Sequence, residues 1–285
     1  MFIPKVLLEE KLKSLLMEDV GLGDVTTAVA VPEGLKADAV VVAKEACVVA
    51  GIEEVTVLAE VLGLKVKSVV RDGDEVDAGQ TILEFSGDAR NILVAERTVL
   101  NLLSRMCGIA TATRKLVKAL KQARVGTKIA ATRKTAPGLL YFDKKAVAIG
   151  GGDPHRLHLD DMVLIKDNHI AIAGSLEEAI NRVKQKVSFS KKIEVEVTSV
   201  DDAVYAAEAG ADIVMLDNMT PEKIKDAVEA IRRSGLNRAV LIEASGQITE
   251  ENFLEYASTQ VVDVLSIGAL THDVKCVDIS LEIKK

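Results

Sequence analysis

From Lys128 to the C-terminus, short apolar runs alternate with amphipathic stretches, and this alternation constrains the fold more than any other feature. The runs fall at 129–131, 162–166, 193–197, 213–217, 240–244 and 263–267, and each reads as a strand. Two intervening stretches carry helix-start chemistry. Ser175-Leu176-Glu177-Glu178 is a capping box, and Thr220-Pro221 places proline at the first helical position. Strand–helix units of this length predict a parallel sheet or barrel. Six strands fall short of the closed eight-stranded form. The pattern therefore predicts an incomplete α/β (TIM-like) barrel, with a doubly wound open sheet as the competing arrangement.

Such a core needs little aromatic bulk. Apolar residues make up 48% of the 285, with 3% aromatic and no tryptophan, which leaves Val, Ile, Leu and Ala to fill it. That mix suits parallel strands buried on both faces. The length accommodates one barrel-sized domain and a smaller one. Upstream of Lys128 the pattern is different. A helix is expected over 5–18 after Pro4, a break at Gly21 to Gly23, and a capping turn at Asp24-Val25-Thr26-Thr27. Strands follow at 36–43, 46–50, 64–70 and 80–86, with helices at 52–62, 89–108 and 109–122. The stretch from Asp72 to Gln80 is similar to the loops of biotinyl and lipoyl carriers but lacks their lysine motif, so it reads as a structural hairpin.

The chain is acidic, with 36 basic against 43 acidic residues and a net charge of −7. That argues against general nucleic-acid binding. Three widely spaced cysteines (Cys47, Cys107, Cys276) make neither a disulfide framework nor a zinc pattern. The charged N-terminus is not a signal peptide, and no apolar run approaches membrane-spanning length, so a cytoplasmic protein without membrane attachment is expected.

Against this background, residues 128–170 stand out, with seven lysines and arginines, five aspartates and three of the four histidines. Three clusters, Thr132-Arg133-Lys134-Thr135, Gly150 to Gly152 with His155-Arg156, and Lys166-Asp167-Asn168-His169, each follow a run read as a strand or buried segment. Those runs are 129–131, Ala146 to Ile149, and Met162 to Ile165. Cations gathered after strands imply an anionic ligand rich in carboxylate or phosphate. In a barrel, active residues sit at the C-terminal strand ends. Those ends carry Lys134, Lys166, Glu196, Asp217, Glu243 with Ser245-Gly246, and Ser266 to Gly268. Glu196 and Asp217, facing Lys134 and Lys166, could hold a hard cation such as Mg²⁺ or form a structural ion-pair network. Ser245-Gly246-Gln247 and Ile267-Gly268-Ala269 could let backbone N–H groups approach a phosphate. Asp160-Asp161 precede their strand and read as a turn.

These residues together resemble the quinolinate phosphoribosyltransferase family, decarboxylating enzymes of de novo NAD synthesis. The resemblance runs through Gly23 to Thr27, Glu96 to Thr111, Thr132 to Thr135, Gly150 to Arg156, Ile165 to His169, Glu194 to Val197, Met215 to Asn218, Glu243 to Gly246 and Gly268 to His272. It implies an N-terminal α/β sandwich-like domain over 1–108, joined by a C-terminal return over 271–285, and a barrel over 109–270. It also implies a homodimer, or a dimer-based larger assembly, that shares its sites between subunits. By the same resemblance, Arg105, Arg133, His155 and Arg156 would grip a pyridine dicarboxylate. Lys134 and Lys166 would hold phosphates and substrate anions, Glu196 and Asp217 would face the ribose hydroxyls and Mg²⁺, and Ser245, Gly246 and Gly268 would receive the ribose phosphate beside His272. Lys134, Lys166, Glu196 and Asp217 are the expected catalytic set. The chain departs from the family pattern at Cys107, Ala136, Leu140 and Gln247.

The implied reaction joins quinolinate to phosphoribosyl pyrophosphate with loss of CO₂, giving nicotinate mononucleotide and pyrophosphate, with Mg²⁺ and no organic cofactor. Rival readings are the same fold acting on nicotinate or another acceptor, a barrel lyase using Lys166 in a Schiff base, and a non-catalytic ligand sensor.

Overall fold

The computed structural model describes residues 3–236 and 240–284. Among the described residues twelve strands run in chain order as β1 (Lys36–Ala43), β2 (Cys47–Val48), β3 (Lys65–Ser68), β4 (Glu75–Val76), β5 (Thr81–Asp88), β6 (Lys128–Ala130), β7 (Val163–Ile165), β8 (Ile193–Val197), β9 (Ile213–Asp217), β10 (Leu241–Ser245), β11 (Val264–Ser266) and β12 (Ile279–Ile283). The chain divides into two compact units.

The first unit comprises Met1–Arg114, Tyr141–Gly151 and Val274–Lys285. Its sheet has the order β12-β1-β5-β3, and every pairing in it is antiparallel. Helix Lys5–Val20 buries Leu8 and Leu12. Asp24 caps helix Val25–Ala30 by accepting the Thr27 N–H. The 72–80 segment is structural, because Asp72 accepts the backbone N–H groups of Gly51 and Ile52 at the start of helix Ile52–Val61. The last strand returns to pair with β1 from Ala39↔Ile283 to Ala43↔Ile279. Lys285, the end of the expected return, lies outside the described residues.

Two sequence expectations change here. The helices expected over 89–108 and 109–122 are one helix, Ala89–Gln122. Gly108 does not end it. A Cβ on Gly108 would stand 2.2 Å from the Lys275 carbonyl oxygen, so glycine is there to let two backbones approach. The run Ala146 to Ile149, of which Ala146 and Val147 are buried, is helical, inside Leu140–Gly150. That helix fixes where the units divide. Its Asp143 accepts a bidentate pair from Arg105, at 2.7 and 2.8 Å, and its Lys145 pairs with Glu53 and Glu54. Most of that helix, within Tyr141–Gly151, belongs with the first compact unit, whose leading segment runs to Arg114.

The second unit, Lys115–Leu140 and Gly152–Asp273, holds six parallel strands in the order β6-β11-β10-β9-β8-β7. Each predicted apolar run became one of them. Strands β7 to β11 are successive neighbours and β11 also pairs with β6, the order of a barrel with an open seam between β6 and β7. The capping predictions correspond to observed bonds, with Ser175 accepting the Glu178 N–H and Thr220 accepting the Lys223 N–H. Each charged group expected at a strand end is thereby delivered to one rim.

Candidate active site

Alternation along β8, β9 and β10 builds the site. Register pairs Glu196 with Met215, Met215 with Glu243, and Asp217 with Ser245. Successive side chains of a strand point to opposite faces, so Glu194 and Glu196 share a face with Met215, Asp217, Glu243 and Ser245. Glu194 and Glu243 lie deep and are fully buried, whereas Glu196, Asp217 and Ser245, nearer the C-terminal ends, are half-buried. Above them opens a cavity of ≈ 540 Å³, a size suited to a small-molecule ligand.

Its lining contains Arg133, Lys134, His155, Arg156, Lys166, Glu196, Asp217, Ser245 and Gly246 from the expected set. Gly268 and His272 adjoin it, since a Cβ on Gly268 would meet the His272 ring and the Lys134 side chain at 3.3 Å. Thr271 Oγ1 donates to the Lys134 carbonyl oxygen at 2.7 Å, which ties those two segments together. Arg105 is not among the lining residues; it lies in the first unit, held by Asp143. His155 lines the cavity, yet both of its ring nitrogens have protein partners: Nε2 lies 3.0 Å from Glu243 Oε2, and Nδ1 accepts the Arg156 N–H at 2.8 Å.

Thr132, Asn218, Gln247 and Ser266 also line the cavity, as does Glu243. Asn218 donates its side-chain amide to Asp217 and its backbone N–H to the Ser245 carbonyl oxygen. It presses so closely on Gly246 that a Cβ there would sit 2.5 Å from Asn218 Oδ1. Asn218 and Gln247 both adopt left-handed backbone (φ 55° and 51°), a conformation that collects at functional sites. Thr132, Glu243 and Ser266 stand in clusters or strand ends that the sequence marked, and Asn218 closes the Met215 to Asn218 stretch, but none of the four was expected among the binding residues.

The electrostatics favour an anionic guest. Arg133 and Arg156 both line the cavity, and burial, then the neighbouring Arg133, hold the Arg156 guanidinium below its usual value. Lys166 is paired with Glu196. Burial, reinforced by the charge of Glu243, pushes the Glu194 carboxyl up to about 8. Neither Glu194 oxygen has a hydrogen-bond partner among the described residues. The exposed trio His158, Asp160 and Asp161 is a turn, with Asp161 accepting the N–H groups of Leu157 and His158.

Residues 24–107 match the family model of the quinolinate phosphoribosyl transferase N-terminal domain, and residues 109–282 match that of its C-terminal domain. A probable carboxylating nicotinate-nucleotide pyrophosphorylase of Methanocaldococcus jannaschii is 53% identical over 274 residues, covering 95% of both chains. A protein of the same description from Methanothermobacter thermautotrophicus is 49% identical over 273 residues, covering 96% of this chain and 98% of the relative. Among solved structures, the nicotinate-nucleotide pyrophosphorylase of Francisella tularensis superposes with a TM-score of 0.89 at 37% identity. That match covers 99% of this chain and 98% of the other.

Proposed function

The chain belongs to the quinolinate phosphoribosyltransferase family, and on that premise we propose how its own residues carry out the family reaction. The enzyme transfers the phosphoribosyl group of phosphoribosyl pyrophosphate to quinolinate with decarboxylation, in pyridine nucleotide synthesis. This assignment sets aside the Schiff-base lyase and sensor readings.

Arg133 and Arg156 take the two carboxylates of the acceptor, because planar guanidinium groups match carboxylates bidentately. Lys134 and Lys166 hold the diphosphate and the departing pyrophosphate. The ribose phosphate is received near Ser245, Gly246 and Gly268, with His272 adjacent. As the anomeric C–O bond breaks, the ribose becomes oxocarbenium-like, and Glu196 and Asp217 stabilise that positive charge. The pyridine nitrogen attacks the anomeric carbon. The resulting cationic ring accepts the electron pair released with CO₂ from the adjacent carbon, which then takes a proton. The carboxylate oxygens of Glu196 and Asp217, half-exposed on the cavity wall, suit a hard cation that keeps water and substrate oxygens in its shell. They would hold Mg²⁺, which when bound offsets the charge of the diphosphate. We place the enzyme in the cytoplasm as a homodimer, in which the partner's copy of Arg105 completes the acceptor site.

One observation carries the acceptor assignment: two arginines face one region of the cavity, more cation than a single carboxylate can pair. A monocarboxylate such as nicotinate would leave a guanidinium unpaired, at about 1–3 kcal/mol. The test is kcat/KM for quinolinate and for nicotinate, on wild type and on Arg133→Ala. Strong preference for quinolinate, lost in the variant, supports the assignment. Equal or better use of nicotinate by wild type overturns it in favour of the nicotinate reading.

A further inference from the structure

The sequence placed His155 among the groups that grip the acceptor, but the geometry gives its ring other work. The Arg156 backbone N–H donates to Nδ1 at 2.8 Å, so Nδ1 carries no proton and Nε2 does. That Nε2–H points at Glu243 Oε2, 3.0 Å away, and also lies 3.5 Å from Glu194 Oε2. Glu243 is 1% exposed, and its other oxygen accepts from Ser266 Oγ at 2.5 Å. A continuous chain of contacts therefore runs from Ser266 on β11, through Glu243 on β10 and the His155 ring, to the backbone of Arg156. His155 itself sits in the left-handed region (φ 52°), with its N–H donated to Asp153 Oδ1 at 2.7 Å. A non-glycine residue persists there only when its surroundings hold it.

We propose that Glu243, seated by Ser266, is a positioning residue of this enzyme. It fixes the tautomer and orientation of His155, and the ring in turn holds the turn that aims Arg156 at an acceptor carboxylate. Glu243, 1% exposed at the cavity floor, acts through His155. This inference rests on the placement of the acceptor at Arg133 and Arg156.

The test is steady-state kinetics of E243A, E243Q, S266A and R156A, with quinolinate and phosphoribosyl pyrophosphate varied separately. E243A should raise the quinolinate KM about tenfold or more, the size of loss that follows removal of a group orienting a binding residue. The KM for phosphoribosyl pyrophosphate should stay within about twofold, because Lys134 and Ser245 are not in the chain of contacts. E243Q should recover most of the loss, since its amide oxygen still accepts from Nε2. S266A should shift the quinolinate KM in the same direction by less, and it serves as the deciding variant should E243A fail to fold. An unchanged quinolinate KM in both E243A and S266A overturns the proposal, as does a uniform change in both KM values with a lowered Tm. The histidine ¹⁵N spectrum, with His155 assigned by its loss in H155N, should show Nε2 protonated and Nδ1 bare; any other state overturns the chain of contacts. R156A separates the two levels. If it raises the quinolinate KM while E243A does not, only the positioning role fails; if it leaves that KM unchanged, the acceptor placement fails.

Discussion

Replacing Lys145 by methionine should destabilise the protein in a way that depends on pH. Lys145 Nζ lies 2.7 Å from Glu54 Oε1 and also pairs with Glu53, and the side chains of Lys145 and Glu54 are 8% and 0% exposed. Burial pushes the Glu54 carboxyl up, and Lys145 offsets only part of that. Burial pulls the Lys145 ammonium down, but Glu54 and Glu53 outweigh it and the net direction is up. The close contact with two carboxylates makes this an ion pair. Methionine has the shape of lysine without its charge, so Glu54 would be left buried and alone. An unpaired buried charge costs about 3–5 kcal/mol. Taking a proton instead costs about 3.4 kcal/mol at pH 7, which is 2.5 units above the ordinary carboxyl value of 4.5 at about 1.36 kcal/mol per unit. The cheaper route wins, so the loss should be at most about 3.4 kcal/mol at pH 7 and about 1.4 at pH 5.5. The sign follows from protons bound. Between pH 4.5 and its raised folded value, native Glu54 keeps a proton that the unfolded chain lacks, so the variant weakens as pH rises. Urea unfolding of wild type and K145M at pH 7 and 5.5 measures this. The double variant K145M/E54L, which restores an apolar match, should come back to within about 1 kcal/mol of wild type. A loss below about 1 kcal/mol at pH 7, or an equal loss at both pH values, would refute the reasoning.

Gly108→Ala should lower the Tm despite alanine's better helix propensity. Its Cβ would stand 2.2 Å from the Lys275 carbonyl oxygen, a backbone atom that cannot rotate away, and overpacking costs about 1–3 kcal/mol; an unchanged or raised Tm would contradict this. Turnover should stop in excess chelator and return with added Mg²⁺, and full activity in chelator would remove the metal from the proposal. Mixing inactive Arg105→Ala with inactive Lys166→Ala chains under subunit exchange should restore part of the activity, because one of the two sites in a mixed dimer carries neither defect. No recovery after confirmed exchange would place both residues in one chain's site.

What the sequence made legible, and what it hid, divides by the distance over which a residue finds its partner. The six strands of the second unit were readable because a buried parallel strand is a continuous apolar run ending in polar residues, a signal contained within each segment. The alternation of Ile193-Glu194-Val195-Glu196-Val197 likewise announced two glutamates on one face. It could not say that Glu194 would be sealed off beneath a histidine 39 positions earlier, while Glu196 would meet Lys166 at the rim. Gly108 and the run from Ala146 to Ile149 were misread for a related reason. A glycine required for close approach to residue 275 looks locally like a helix end, and a four-residue apolar run does not distinguish a strand from one face of a buried helix. The buried charges show this most sharply. Lys145 beside Glu54, and Arg105 beside Asp143, carry no local sign of these pairings, and only the fold supplies partners 91 and 38 residues away. Glu243 belongs with them. Its place at a strand end was visible, but its contact with His155 spans 88 residues. The fold alone shows that both ring nitrogens of this cavity-lining histidine also meet protein atoms.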